Sequence, residues 1–278
     1  MTTEEILSQF EVYSTTNSSS SEVVITNSVK IAFFDWDNTL FCTDYLAKFN
    51  INYKDIFSFQ GNLNEINADL NYQLILLQES ILKLFSKLIE DHFTIFIISN
   101  ADLKWIQNCL EHFLCELKDF IEINNIQIYS AKNLFSTNTS SCKWKIKCFK
   151  KVLIENCEFI FGKNIIVLCI GDSKEEQKAA IELRKVKFFE QQVKVTFIRM
   201  LSSPSILSLI KQHQCIGDSY NNVIENREIL YKVFINYIEG SYFILPKMKR
   251  KKSENETEIK LVKDLTKKKR YNGHQRKV

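Results

Sequence analysis

The amino-acid sequence predicts an α/β fold in which helices cover a doubly wound, mostly parallel sheet. Short apolar runs without polar alternation recur along the chain, and such runs are typical of buried parallel strands. Segments with apolar residues at helical spacing separate these runs, which is the pattern of a doubly wound sheet. The chain has only 2 Pro and 6 Gly among its 278 residues, which favours long helices and strands over a turn-rich β-sandwich.

The predicted elements alternate in a regular order. Apolar runs predict strands at residues 31–34, 93–98, 126–129, 165–170 and 193–198. The helical period predicts helices at residues 72–91, 103–120, 144–156, 175–185 and 206–213, and the last of these is introduced by Pro204. Residues 41–71 mix aromatic residues with Asn and show no clear period.

Composition divides the chain into four predicted parts. These are a polar, mobile leader (1–27), an α/β core (28–213), a C-terminal helical extension (214–246) and a disordered basic tail (247–278). The tail carries 13 Lys and Arg against 4 Asp and Glu, and the rest of the chain carries 24 against 29. Such a tail can be a nuclear-import signal or a solvated end without an address, and both alternatives stay open. Binding of nucleic acid ranks last, because only Tyr271 among the basic residues could stack on bases.

The cysteines and the hydropathy pattern indicate an intracellular protein, either cytoplasmic or nuclear. None of the 8 Cys forms a C-x-x-C pair or has a His at zinc spacing, so reduced cysteines are expected. Residues 1–30 lack the basic-then-apolar pattern of a signal peptide, and no apolar run is long enough to span a membrane, so we expect no membrane partner. The sequence does not indicate an oligomeric state.

Two acids one residue apart, Asp35 and Asp37, directly follow the first predicted strand. Ligands of open α/β sheets bind at the carboxyl ends of the strands, so this pair lies where chemistry is expected. Neighbouring carboxylates repel each other unless a cation neutralises them or one of them takes up a proton. The oxygen-seeking cation Mg²⁺ is therefore the predicted cofactor.

Asp35-Trp36-Asp37-Asn38-Thr39 resembles the first motif, D-x-D-x-T, of the haloacid dehalogenase (HAD) superfamily. Further along the chain Ser99-Asn100, a Lys near Trp144 and Gly171-Asp172-Ser173 resemble the remaining motifs in the same order, most closely those of HAD proteins of unicellular eukaryotes. The resemblance covers residues 30–212 and implies a Rossmann-like core. The third-motif lysine could be Lys143, Lys145 or Lys147. We choose Lys145, with Lys143 as the next choice, because Trp144-Lys145 followed by Phe149 resembles the W-K pattern of these proteins.

The resemblance implies a role for each of these residues. Asp35 would be the nucleophile and Asp37 the general acid and base. Mg²⁺ would be held by Asp35, the backbone carbonyl of Asp37, and Asp172. Ser99, Asn100 and Lys145 would bind the phosphate, while Ser173 and Glu176 would support the water shell of the metal. A structural alternative remains for three of these residues: Ser99 could cap a helix, and Ser173 with Glu176 has the S-x-x-E spacing of a capping box.

The expected function is that of a Mg²⁺-dependent phosphomonoester hydrolase that works through an aspartyl-phosphate. Its partner would be a phosphorylated substrate, either a small molecule or a macromolecule such as a phosphoprotein. The intervals in which the superfamily inserts cap domains are short, so we expect little or no cap and at most a small flap at residues 45–59. The alternative is a catalytically weak binding or scaffold protein that keeps the fold.

Overall fold

Among the described residues, eight strands build one sheet. The computed structural model describes residues 28–48, 68–137, 139–157, 164–188, 191–225, 232–238 and 241–246. Its strands are β1 (Ser28–Phe34), β2 (Phe93–Ser99), β3 (Gln127–Ser130), β4 (Asn164–Gly171), β5 (Lys187–Phe188), β6 (Gln191–Arg199), β7 (Lys232–Ile238) and β8 (Ser241–Pro246). Seven of them follow the order β3-β2-β1-β4-β6-β7-β8, and β5 pairs with β6. The pairs are parallel except β7–β8 and β5–β6.

Helices lie on both faces of the sheet. They are α1 (Thr43–Ala47), α2 (Ala68–Glu90), α3 (Leu103–Phe113), α4 (Cys115–Ile123), α5 (Ala131–Phe135), α6 (Trp144–Cys157), α7 (Lys174–Leu183) and α8 (Ile206–Glu225), with a 3₁₀ turn at Ser141–Lys143 before α6. Alternate residues of β1 point to opposite faces. Phe34 packs on Phe85 of α2 with ring centroids 5.0 Å apart, and Phe33 packs on Phe149 of α6 at 4.8 Å. The structure thus confirms the predicted α/β class with a mostly parallel sheet, consistent with a Rossmann-like fold.

The direction of winding reverses beside β1. From β1 the chain runs outward through β2 to β3, then crosses to the other side of β1 and continues through β4 and β6. Phe34 therefore lies beside both Ile97 of β2 and Ile170 of β4. The crevice outside the carboxyl ends of β1 and β4 is the switch point at which open α/β sheets bind ligands.

The predicted helical extension at residues 214–246 was wrong for residues 232–238 and 241–246, which form strands. Helix α8 continues past the predicted core boundary at 213 because its apolar period persists, with Ile216 and Tyr220 buried. The chain then returns as β7 and β8, and Val233 and Ile235 of β7 are buried in the sheet. This hairpin extends the sheet.

Three further predictions fall partly or wholly on residues that the structure does not describe. The leader at 1–27, the tail at 247–278 and most of the flap at 45–59 lie outside the described residues. The described part of the interval 101–142 folds as α3, α4, β3 and α5 and contributes no separate domain. The described helices include none with the length and hydrophobicity of a membrane span.

Candidate active site

Asp35 lies at the carboxyl end of β1, inside the switch-point crevice. Its backbone N–H donates a hydrogen bond to the carbonyl of Ile170 at 3.0 Å, so the pairing of β1 with β4 extends through Asp35. The residue is only 4% exposed. Asp172 directly follows the end of β4, at Gly171. The neighbouring strand ends thus bring both acids to the same edge of the sheet.

A tight turn after Asp35 carries Asp37. The carbonyl of Trp36 accepts the backbone N–H groups of Thr39, Leu40 and Phe41 at 2.9–3.2 Å. Asn38 has φ 56°, in the left-handed region that Asn tolerates better than most residues. Its side-chain oxygen also accepts the backbone N–H of Asp44 at 3.1 Å and so links the turn to α1. Asn at this position is therefore explained by the backbone of the turn.

Three donors surround the carboxylate of Asp37. Thr43 Oγ1 donates to Oδ1 at 2.5 Å, and Trp105 Nε1 donates to the same oxygen at 3.2 Å. Ser99 Oγ, at the end of β2, lies 3.5 Å from Oδ2, which is the limit of a hydrogen bond. Neither contact was predicted from the sequence: Trp105 lies 68 residues from Asp37 along the chain, and the contact of Thr43, which is six residues away, depends on how the turn folds.

Ser99 does not cap α3. Asp102 does so, since its side chain accepts the backbone N–H of Lys104 at 3.1 Å. Ser99 Oγ instead accepts the N–H of Ala101 at 3.0 Å, and it lies in the site with 1% exposure. Oδ1 of the adjacent Asn100 is buried and has no hydrogen-bond partner among the described residues. The end of β2 therefore supplies a hydroxyl and an unsatisfied amide oxygen to the same edge of the sheet.

Lys145 is the lysine that reaches the site. It is 4% exposed, whereas Lys143 and Lys147 are exposed to solvent. Its Nζ lies 2.6 Å from Asp35 Oδ1 and also forms an ion pair with Glu176. Burial lowers the pKa of Lys145, but the two carboxylates outweigh burial and hold this pKa above its ordinary value. Lys145 is therefore a permanently charged ammonium between two buried acids.

Glu176 is held in place by its own helix terminus. Its carboxylate accepts the backbone N–H of Ser173 at 2.8 Å, and the Ser173 hydroxyl accepts the N–H of Glu175 at 3.1 Å. The predicted capping box is therefore present, and Glu176 also pairs with Lys145. Burial raises the pKa of Glu176, but Lys145 and the bonds from Ser173 hold it below the ordinary value.

Gly171 makes room for the Glu176 side chain. A Cβ at this position would lie 2.4 Å from Glu176 Cγ and 3.0 Å from its Cβ and Cδ. Real Cβ atoms essentially never approach a neighbour this closely. The glycine at the end of β4 is therefore required by the packing of Glu176, which is fully buried.

Asp35, Asp172 and Glu176 form a buried cluster that could bind a metal ion. One carboxylate oxygen from each lies within 4.8 Å of the other two. Burial and the charge of Glu176 raise the pKa of Asp172 to about 6, and burial also raises that of Asp35 well above its ordinary value despite Lys145. Although Asp35 Oδ1 contacts Lys145, it accepts no well-directed hydrogen bond.

The cluster fits a hard cation. Lys145 forms ion pairs with two of the three acids, Asp35 and Glu176, and a cation would relieve the repulsion that remains. The cluster contains Glu176, predicted only as a supporting residue, and does not contain the carboxylate of Asp37. Any part of Asp37 in metal binding would thus come from its backbone carbonyl, as the resemblance implies.

Comparisons with known proteins assign no family. No protein-family model matches the chain, and no curated protein matches it.

Proposed function

We propose that this protein is a Mg²⁺-dependent phosphomonoester hydrolase that forms an aspartyl-phosphate on Asp35. The observation that carries this proposal is the meeting of Asp35, Asp172 and Glu176 around Lys145 at the switch point of the sheet. A buried nucleophilic carboxylate beside a fixed cation, with a second acid two residues away, supplies the groups that phosphoryl transfer needs. The order of the motifs along the chain, which resembles that of the HAD superfamily, supports the same function.

In the first step, a carboxylate oxygen of Asp35 bonds to phosphorus as the bond from phosphorus to the ester oxygen breaks. Asp37 gives a proton to the leaving oxygen, so that the alcohol departs neutral. In the second step, Asp37 takes a proton from a water molecule whose oxygen bonds to phosphorus. The acyl-phosphate bond breaks, inorganic phosphate leaves and the Asp35 carboxylate is restored.

The remaining residues hold and neutralise the reacting groups. Lys145 Nζ lies 2.6 Å from Asp35 Oδ1 and would act as a fixed cation beside the nucleophile and the transferring phosphoryl group. At the end of β2 the Ser99 hydroxyl and the side-chain amide N–H of Asn100 would donate hydrogen bonds to the non-bridging phosphate oxygens. Asp35, Asp172 and Glu176 would hold Mg²⁺, which when bound shields the carboxylates from the negative phosphoryl group.

The alternative of a catalytically weak scaffold is less well supported. A buried ion pair seldom stabilises a fold more than apolar residues of the same volume would. Here three acids and a lysine are buried together at the carboxyl edge of the sheet, and a purely structural role gives no reason for this arrangement.

We further propose that the substrate is a bulky phosphate ester, such as a phosphoprotein. The support is that the described part of 101–142 is used for the sheet and its helices, which leaves no lid from this interval. The ratio of kcat/KM for phosphopeptides to that for small phosphometabolites tests this point, and a ratio below one would contradict it.

The assay of the function itself uses an aryl phosphate with the purified chain. Asp35→Asn should lower kcat by more than about a thousandfold, because a neutral amide cannot attack phosphorus. Asp119→Asn, at an exposed position of α4, is the matched control and should retain wild-type turnover. Wild-type turnover by Asp35→Asn, or full activity in excess chelator, would contradict the proposal.

A further inference from the structure

The two oxygens of the Asp37 carboxylate have unequal surroundings. Oδ1 accepts hydrogen bonds from Thr43 Oγ1 at 2.5 Å and from Trp105 Nε1 at 3.2 Å. Oδ2 has only the marginal 3.5 Å contact with Ser99 among the hydrogen bonds of the described residues. Such asymmetry matters for an acid-base group, because a carboxyl group carries its proton on one oxygen at a time.

Both donors to Oδ1 are held firmly by their own surroundings. Thr43 is the first residue of α1 and lies directly after the turn that carries Asp37. Trp105 lies in the first turn of α3, is 5% exposed and packs edge-on against Phe41, with ring centroids 6.2 Å apart and planes at 74°. Phe41 in turn stacks on Trp36 at 5.7 Å. The indole N–H therefore points at Asp37 from a packed aromatic cluster.

We infer that Thr43 and Trp105 are positioning residues that reserve Oδ1 of Asp37 as an acceptor and leave Oδ2 for proton transfer. This inference rests on the proposed function of the site. The two hydrogen bonds use both lone pairs of Oδ1, so Oδ1 has no free lone pair for a proton. The proton of the acid form therefore lies on Oδ2. Oδ2 then gives this proton to the leaving oxygen in the first step and receives one from water in the second.

Ser99 fits the same division of roles. Its hydroxyl lies on the Oδ2 side, so a bound phosphate that accepts a bond from Ser99 would draw that hydroxyl away from Asp37. Oδ2 would then face the ester oxygen with its proton. Without Thr43 and Trp105 the carboxyl group could rotate and exchange its two oxygens, and the fraction of correctly aligned acid would fall.

Leaving-group dependence tests the inference, because only a poor leaving group needs the proton of Asp37. The variants Thr43→Val and Trp105→Phe each remove one donor and preserve much of the side-chain shape. For glycerol 2-phosphate, whose alkoxide leaves poorly, each should lower kcat/KM by about tenfold. For 2,4-dinitrophenyl phosphate, whose phenolate leaves readily, kcat/KM should fall by less than about threefold. The steps up to formation of the acyl phosphate determine kcat/KM, so the later use of Asp37 as a base does not enter.

Control variants separate positioning from folding. Thr43→Ser retains the hydroxyl and should keep wild-type kcat/KM on both substrates. Thr94→Val makes the matched substitution at an exposed position near the start of β2, at the opposite edge of the sheet, and should also be unchanged. If Trp105→Phe melts well below wild type, Thr43→Val decides, since Thr43 is only half-buried.

The outcomes distinguish this inference from the proposed function. Equal losses on both substrates, or no loss on either, would overturn the positioning roles while an active wild-type enzyme upholds the function. Absence of Mg²⁺-dependent phosphate release by the wild-type chain from either substrate would overturn both.

Discussion

Replacement of Gly171 by alanine should destabilise the protein through Glu176. The added Cβ would lie 2.4 Å from Glu176 Cγ, so the Glu176 side chain has to move out of a fully buried position. Over-packing of this kind costs about 1–3 kcal/mol. Loss of the capping box costs about 1 kcal/mol more. The expected loss in the free energy of unfolding is thus about 2–4 kcal/mol, before any effect on the Lys145 ion pair.

Urea denaturation of a double-mutant cycle measures this coupling. In a Glu176→Ala background most of the clashing atoms are absent, so Gly171→Ala should cost at least about 1 kcal/mol less there than in the wild type. Gly217→Ala in α8 is the matched control, because its Cβ would meet only Leu84 Cδ1, at 3.8 Å. Gly217→Ala should raise the free energy of unfolding by about 0.5–1 kcal/mol, because Gly217 lies inside a helix. A Gly171→Ala protein with wild-type stability, or with the same loss in both backgrounds, would refute the reasoning.

Three further predictions concern charges of the site and its surroundings. Lys145→Met leaves Asp35 and Glu176 buried without their cation, so urea denaturation should show a loss of about 3–5 kcal/mol, while unchanged stability would contradict the ion pairs. Burial lowers the pKa of His213 from 6.5 to about 4, although its bond to the Thr39 carbonyl opposes this. Between pH 4 and pH 6.5 the unfolded chain therefore binds more protons than the folded chain. The stability that depends on neutral His213 is complete above pH 6.5 and is lost as the pH falls toward 4. Stability should fall by up to about 3 kcal/mol toward pH 4, and His213→Gln, measured at pH 7 and 4.5, should lack this part of the fall. Mg²⁺ at about a hundred times its dissociation constant should stabilise the wild type by about 2.7 kcal/mol, reversibly with chelator. Asp172→Asn should lose most of this gain, and an equal gain would exclude Asp172 as a ligand.

The sequence predicted the buried central strands of the sheet better than the last two strands, β7 and β8. Strands β1, β2, β4 and β6 are mostly buried, so each appears in the sequence as a largely apolar run, although Thr94 interrupts the run of β2 and Lys194 and Thr196 interrupt that of β6. Strands β7 and β8 were predicted as helix, although Gly240 between two runs rich in aromatic residues and isoleucine is a hairpin signal. One helix was predicted at 103–120, because the apolar period continues across Leu114. The structure has two helices there, separated by a break at Leu114.

The site divides in the same way. Asp35 and Asp172 follow buried strands, so strand ends and motif order were enough to predict their meeting. Lys145 was chosen over its neighbours from the sequence, and the packing of α6 agrees, because it buries Lys145 and leaves Lys143 and Lys147 exposed. Thr43 and Trp105 could not be predicted as partners of Asp37, because their contacts depend on how α1 and α3 pack around the turn.

The central claim is that Asp35 carries the phosphoryl group during the reaction. A single-turnover experiment quenched in acid tests this claim most directly. Enzyme in excess over an aryl phosphate would be mixed with Mg²⁺, stopped in acid within milliseconds and digested for mass spectrometry of the peptides. The account predicts a transient acyl phosphate on Asp35, which borohydride reduces at this residue and which Asp35→Asn does not form. Release of phosphate with no acyl phosphate detected at Asp35, or with the phosphoryl group on another residue, would contradict the proposal.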